Sequence, residues 1–299
     1  MTKNNKYPLW NELSYAGEKR PPSSGIEPSA GKWETYFLKH DQNGNFVTLD
    51  GRIVDFDIRY PEKIQWYDQL QTVQRVLGNL TDKKKVIARY WGSGPPSKQW
   101  APIADRLIDT YKVEAPRAGR ILGALFTGIN DALVVTWYLK YKWLVPRPNQ
   151  LDEHLATVIC TPKHPSYPSG HATVSGAAEI ILSYFFPAER RRIQQLAEED
   201  AKSRLYAGVH FPIDNEQGLR LGRQIGRIVV EQLRTEKGSD RLPVDTPYRK
   251  YRKAELAPPP YEQAVPFEFD QSCGSLLIED VEEPRSNSIS SIPEPRLFL

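Results

Sequence analysis

Hydrophobic and polar positions change rhythm twice along the chain, near residue 61 and near residue 237, and the changes divide it. Over 33–60 the apolar residues Trp33, Tyr36, Phe37, Phe46, Val47, Ile53, Val54 and Phe56 come in short runs. Asn43-Gly44 and Asp50-Gly51 break those runs, and both dipeptides favour hairpin turns. A small antiparallel meander is expected there, as the only β structure. From Pro61 the spacing is helical. Helices are predicted over 62–79, from a Thr81/Asp82 cap to Tyr90, and from a Ser97 cap through Tyr111. A long one runs from Pro116 to about Trp143, where Pro146 and Pro148 stop it.

On that long helix Ile129, Leu133, Trp137 and Lys140 fall on one face, so Lys140 leaves an apolar stripe. Residues 149–167 read as a loop. The next helix starts at Ser169, is apolar nearly all round to Phe186, and is expected at the buried centre. An amphipathic helix over 188–206 turns Arg204 inward, beside Ala201. The last helix, 212–235, begins on Pro212 and repeats Asp214, Gly218, Gly222 and Gly226 every four residues. Such a glycine stripe allows close approach, with the Ala/Ser/Gly-rich start of the central helix as the expected partner. The fold class that follows is all-α, a bundle of six or seven helices with a small N-terminal β meander. Residues 1–60 make an arm (1–32, on the body or loose) plus the meander, and 61–237 the helical catalytic domain. Residues 238–299, with Pro258–Pro260, acidic clusters and the run SNSISS, read as a poorly ordered or loosely draped tail.

Charge sharpens that division. The net charge is +3, but residues 255–299 carry −7, which leaves the body strongly basic. A basic body suits an anion-handling protein and suits solvated surface lysines equally well. With no Lys/Arg run longer than Lys83–Lys85, no nucleic-acid partner is expected. Cys160 and Cys273 make no disulfide framework, and a reducing compartment is expected, with Cys160 a buried small hydrophobe. The polar N-terminus has no apolar signal region. Asn130 and Asp131 interrupt the apolar stretch Ile121–Leu139, so no membrane span is expected and the localisation expected is cytoplasmic. A homo-oligomer is left open.

Candidate chemistry gathers between Lys140 and Asp214. The chain reads K-x6-RP (Lys140, Arg147, Pro148), PSGH (Pro168, Ser169, Gly170, His171) and SR-x5-H-x3-D (Ser203, Arg204, His210, Asp214). Lysine and arginine neutralise a tetrahedral oxyanion, and the N–H groups at a helix start complete its cradle. The histidines can divide nucleophile or ligand and acid/base roles, with Asp214 orienting His210. His40 and His154 are assigned to structure or surface, and Ser203 to the helix backbone.

These strings, with HPSYPSGHAT, SRLYAGVHFPIDNEQG, the Trp137/Lys140 pair and ARYWGSGPPSKQW, carry a family resemblance over roughly 62–235. The chain resembles the superfamily that joins type 2 phosphatidic acid phosphatases, bacterial class A acid phosphatases and vanadium-dependent haloperoxidases. Its longer context is most similar to the bacterial haloperoxidase type. The resemblance implies vanadate as cofactor, with His210 bound to the metal. It further implies Lys140, Arg147, Ser169, Gly170 and Arg204 on the oxygens, and His171 as acid/base. It also sets His164, with Trp137 beside it, at a halide site, where a histidine resembles bromoperoxidases. Two activities follow from one site: oxidation of halide, bromide favoured, by hydrogen peroxide, or phosphate monoester hydrolysis through a phosphohistidine. Phosphate can occupy the place of vanadate, and all substrates implied are small molecules.

Overall fold

The computed structural model describes residues 6–277. The meander is a hairpin of β1 (Leu38–His40) and β2 (Phe46–Thr48), antiparallel, with Leu38 opposite Thr48, and Ile53 bridging back to Val47. Eight helices follow: α1 (Trp66–Gly78), α2 (Asp82–Gly92), α3 (Ser97–Tyr111), α4 (Ala115–Trp143), α5 (Pro148–Leu151), α6 (Gly170–Phe185), α7 (Arg190–Tyr206) and α8 (Pro212–Thr235). The all-α reading holds, with α5 a single turn inside the expected 149–167 loop.

Three starts differ in detail from expectation. The helix expected at 62 is a 3-10 turn over Pro61–Lys63 and an extended Ile64 before α1 begins. Ser97 does not cap α3, because Pro96 already has helical backbone angles and takes the cap position. Thr81 does cap α2, accepting from the Lys84 N–H.

Helix α6 is the axis. Its apolar circumference is buried against α4, α7 and α8 in a core that includes Trp91, Trp100, Leu125, Ile181, Leu182 and Val229. Its approach to α8 requires the predicted glycines. A Cβ on Gly222 would stand 2.0 Å from the Thr173 carbonyl oxygen, and one on Gly218 2.8 Å from Ser169 O. Asp131 on α4, fully buried, accepts the Tyr36 and Phe37 N–H groups (2.8 and 2.7 Å) and fastens the hairpin to the bundle.

Three expectations need correction. Cys160 and Cys273 form a disulfide, Cα atoms 5.7 Å apart, so neither is a free thiol and the premise for a reducing compartment falls. Composition could not reveal a pairing across 113 residues of chain. Residues 238–277 are mostly exposed but are fixed to the bundle at separate points, so the segment is draped and anchored. Asp245 receives a two-pronged bond from Arg120 (2.6 and 2.8 Å), Ala254 and Leu256 are buried, and Thr157 pairs with Leu276 in a parallel bridge. The sequence signal failed because the segment is held by isolated anchors without periodicity. The remainder of the expected tail, 278–299, lies outside the described residues. Finally, the expectation of no membrane span is overturned: Ala115–Leu151 is long and apolar enough to cross a membrane by length and composition. One polar pair, Asn130 and Asp131, is diluted by the apolar residues around it. In this fold 56% of that window is buried inside the protein.

Candidate active site

The three motifs converge where the C-terminal end of α4, the start of α6, the end of α7 and the start of α8 meet. Lys140, Arg147, Ser169 and Asp214 are fully buried, and Arg204 and His210 almost so. Lys140 projects from the last turns of α4 and donates to the Pro165 and Ser166 carbonyls (2.7 and 2.6 Å). That leaves one of its three N–H donors. Arg147, just before α5, donates to the carbonyls of His164 (3.0 Å) and Val209 (2.7 Å). Arg204 donates Nε–H to the Ser203 hydroxyl (2.9 Å) and Nη2–H to the Ala88 carbonyl (2.7 Å). Ser203 therefore braces Arg204 as well as the Asp200 carbonyl, a role the sequence reading gave only to helix backbone.

None of these three cations forms an ion pair among the described residues; their bonds go to carbonyls, a hydroxyl and imidazoles. Burial lowers both guanidiniums to about 10, which leaves them charged at neutral pH. Burial, then Arg147, lowers Lys140 well below its ordinary value, with Asp214 opposing. Buried like charges that form no direct ion pair are costly, and an anion bound among them lowers the cost.

His210 has one readable tautomer. The Arg147 Nη1–H can only donate, so His210 Nε2 accepts it (2.9 Å), and Nδ1–H donates to Asp214 Oδ2 (2.8 Å). Burial, then Arg147 and Lys140, hold the imidazole well below its ordinary pKa, so the ring is neutral. The Nε2 lone pair thus points into the cationic cluster. Asp214 Oδ2 also accepts the Ser166 hydroxyl (2.5 Å) and the Phe211 N–H (3.0 Å). Burial pushes its carboxyl up to about 6, against the Ser166 bond and Lys140, so it is ionised at neutral pH.

Ser169 caps α6, its hydroxyl accepting from the Ala172 N–H at 3.4 Å. The Gly170 and His171 N–H groups stand in the first turn, where no intrahelical acceptor exists. His171, half-buried, donates Nε2–H to the Trp91 carbonyl (3.0 Å) and keeps Nδ1 for other partners. Burial and then Arg204 lower its pKa well below the usual value. His164 belongs to the cluster: its Nδ1 and Nε2 lie 3.1 and 3.5 Å from Arg147 Nη2. Nδ1 also lies 3.2 Å from the Pro165 carbonyl oxygen. Trp137 packs against His164, ring centroids 4.9 Å apart. Its indole N–H donates to Ile26 O (3.1 Å), so the N-terminal arm reaches the rim of the site. His154 is exposed and His40 lies on β1, both outside the cluster.

Every residue singled out in the motifs is therefore in one place. Ser166, Gly92 and Asp200 were missed. A Cβ on Gly92 would come within 3.1 Å of the Arg204 guanidinium, a close approach that the string ARYWGSG carried without marking. Asp200 is fully buried one turn before Arg204 and accepts the Ser175 hydroxyl (2.5 Å), which in turn accepts the Trp100 indole N–H (3.0 Å).

Residues 120–237, which hold all three motifs, match the PAP2 superfamily. The matched segment runs from within α4 to the end of α8, the helices that carry the site. A decaprenylphosphoryl-5-phosphoribose phosphatase of Mycobacterium tuberculosis (strain CDC 1551 / Oshkosh) is 34% identical over 88 residues. The match covers 29% of this chain and 49% of that protein, so the chain spans about half the length of the curated relatives it matches. A bacterial vanadium-dependent iodoperoxidase has a similar structure, with TM-score 0.57 and 25% identity over 75% of this chain and 62% of the other. An apo-type bacterial vanadium-dependent chloroperoxidase, 14% identical with TM-score 0.55 over 77% and 63% of the two chains, shares the fold.

Proposed function

We propose that the protein is a vanadate-dependent haloperoxidase that oxidises halide with hydrogen peroxide. Bromide is the halide suggested by the histidine at 164. The observation that carries the reading is the cluster of buried, unpaired cations around the His210 Nε2 lone pair, with a further histidine and a tryptophan on its flank. Likeness to a vanadium-dependent iodoperoxidase over 75% of the chain supports it.

Vanadate fits this donor set. Among the described residues no group of three or more His, Cys, Asp or Glu could hold a bare cation, whereas the cations and helix start suit an oxyanion. Lys140, Arg147, Ser169, Gly170 and Arg204 would hold the oxygens, and His210 Nε2 the metal. When bound, vanadium supplies a Lewis acid for peroxide without changing oxidation state. The net reaction is H2O2 + Br− + H+ → HOBr + H2O. His171, with Nδ1 available and a pKa lowered by burial, takes a proton from entering peroxide and returns one to the departing oxygen. The spare N–H of Lys140 stabilises charge developing on that oxygen. Asp214 keeps His210 in the tautomer whose Nε2 faces the anion.

Phosphate ester hydrolysis is the second reading, favoured by the 34% identity to a phosphatase. There His210 Nε2 attacks phosphorus and His171 protonates the leaving alcohol. Purified protein freed of bound oxyanion, assayed with and without orthovanadate for iodide, bromide and chloride oxidation and for phosphate ester hydrolysis, separates the two. Halide oxidation that depends on vanadate is expected. Rapid ester hydrolysis with no halide oxidised at saturating vanadate overturns the proposal. Replacing His164 with Phe removes an acceptor from Arg147. Orthovanadate affinity should then fall by less than about tenfold, the worth of one hydrogen bond, while the rate or order of halide oxidation changes.

A further inference from the structure

We infer that Ser166 is a positioning residue for His210, acting through Asp214. Its side chain lies outside the three motifs, yet every polar group it carries is committed to the site. Its N–H donates to the Val145 carbonyl (2.9 Å), which anchors the backbone. Its carbonyl accepts the Lys140 ammonium (2.6 Å). Its hydroxyl donates to Asp214 Oδ2 (2.5 Å) and lies 3.3 Å from His210 Nδ1. The residue is fully buried, so no water competes for these bonds.

The hydroxyl has a specific task. Asp214 Oδ1 has no hydrogen-bond partner among the described residues, whereas Oδ2 takes three donors, from Ser166, Phe211 and His210. A carboxylate loaded on one oxygen is free to rotate about its last torsion unless a bond of fixed direction holds it. The Phe211 N–H belongs to the residue next to His210 itself. Ser166 reaches across from the loop before α6, so its short bond to the ionised oxygen fixes the plane of the carboxylate. That plane determines where Nδ1–H of His210 points, and with it where Nε2 faces. Through its carbonyl the same residue holds Lys140, so nitrogen ligand and cation share one mount.

The inference rests on the oxyanion-site reading but not on the choice between halide oxidation and ester hydrolysis. Ser166→Ala removes the hydroxyl and keeps the backbone bonds, and its smaller side chain cannot overpack the site. The full-length variant should keep its circular dichroism spectrum and bind orthovanadate about 10–100-fold more weakly, the usual loss when an outer partner of a ligating histidine is removed. Nitrogen-15 NMR of the anion-free protein should show the His210 ring moving from a single Nδ1–H tautomer to a mixture. Ser166→Thr, which retains a hydroxyl, should recover affinity and tautomer if its added methyl is accommodated. A cycle with Asp214→Asn supplies the decisive measurement. Once Asp214 is neutralised, the loss from Ser166→Ala should shrink to less than about threefold. Wild-type affinity and tautomer in Ser166→Ala, or a loss of the same size with and without Asp214→Asn, overturns the inference. Absence of halide oxidation does not touch it, because binding and tautomer are read without turnover.

Discussion

Buried charge decides the chemistry at the scale of single residues. Lys140, Arg147 and Arg204 were legible in the sequence because their residue types and spacing make motifs that stand out before any fold is known. Their supports were not, since Ser166 and Asp200 are ordinary residue types whose importance comes only from what surrounds them. Asp200 leads to a prediction about pH. Burial pushes its carboxyl up to about 7, although Arg204 and the Ser175 and Ser203 bonds oppose the rise. Between its ordinary value of 3.8 and about 7 the folded protein binds a proton that the unfolded chain has lost. Stability from this group is therefore greatest below pH 4 and declines as pH rises toward 7. Asp200→Asn keeps an acceptor for Ser175 and removes the titration. In thermal scans, the melting temperature of the variant relative to wild type should climb between pH 4 and 7 and level off above about 8. A constant difference across that range would show that Asp200 is ionised throughout.

At the scale of elements, the long helices and their order followed from periodicity, because each buries one broad stripe or, for α6, its whole circumference. The glycine repeat on α8 correctly named its partner for the same reason. Departures occurred where a few backbone angles outweigh pattern: the extended Ile64 that delays α1, the helical Pro96 that displaces Ser97, and the single turn α5 between two prolines and the site loop. The contact between α6 and α8 is tight enough to test. In an open helix Gly→Ala gains about 1 kcal/mol. At Gly222 the new methyl would overlap the Thr173 carbonyl, and overpacking of backbone outweighs that gain. Gly222→Ala should lower stability by about 2 kcal/mol or more in chemical denaturation. Because Gly218 and Ser169 lie one turn away, orthovanadate binding should weaken as well. A stabilised variant would mean that the two helices separate at low cost.

For the whole molecule, segments near both limits of the described residues are fastened around the site. In the arm, Gln150 donates to the Trp10 and Leu13 carbonyls, and Ile26 bridges Lys163 with Trp137 and Tyr141. From the other end, Cys273 is bonded to Cys160, four residues before His164. Neither attachment has a periodic signature, which is why the sequence suggested a loose tail. Deletion of 255–299, harmless to a loose tail, removes the buried Leu256 and the cross-link here. Cys273→Ser alone should cost about 2–5 kcal/mol, measured by denaturation without reductant, and wild type with reductant should match it. Equal stability of the two proteins without reductant would refute a stabilising cross-link. The bridge spans 113 residues, and PSGH, SR-x5-H-x3-D and helices α6 to α8 all lie between its ends. A protease that cuts once anywhere inside this interval releases no fragment. The nicked chain runs as a single species on a denaturing gel until a thiol is added, and only then separates into two pieces.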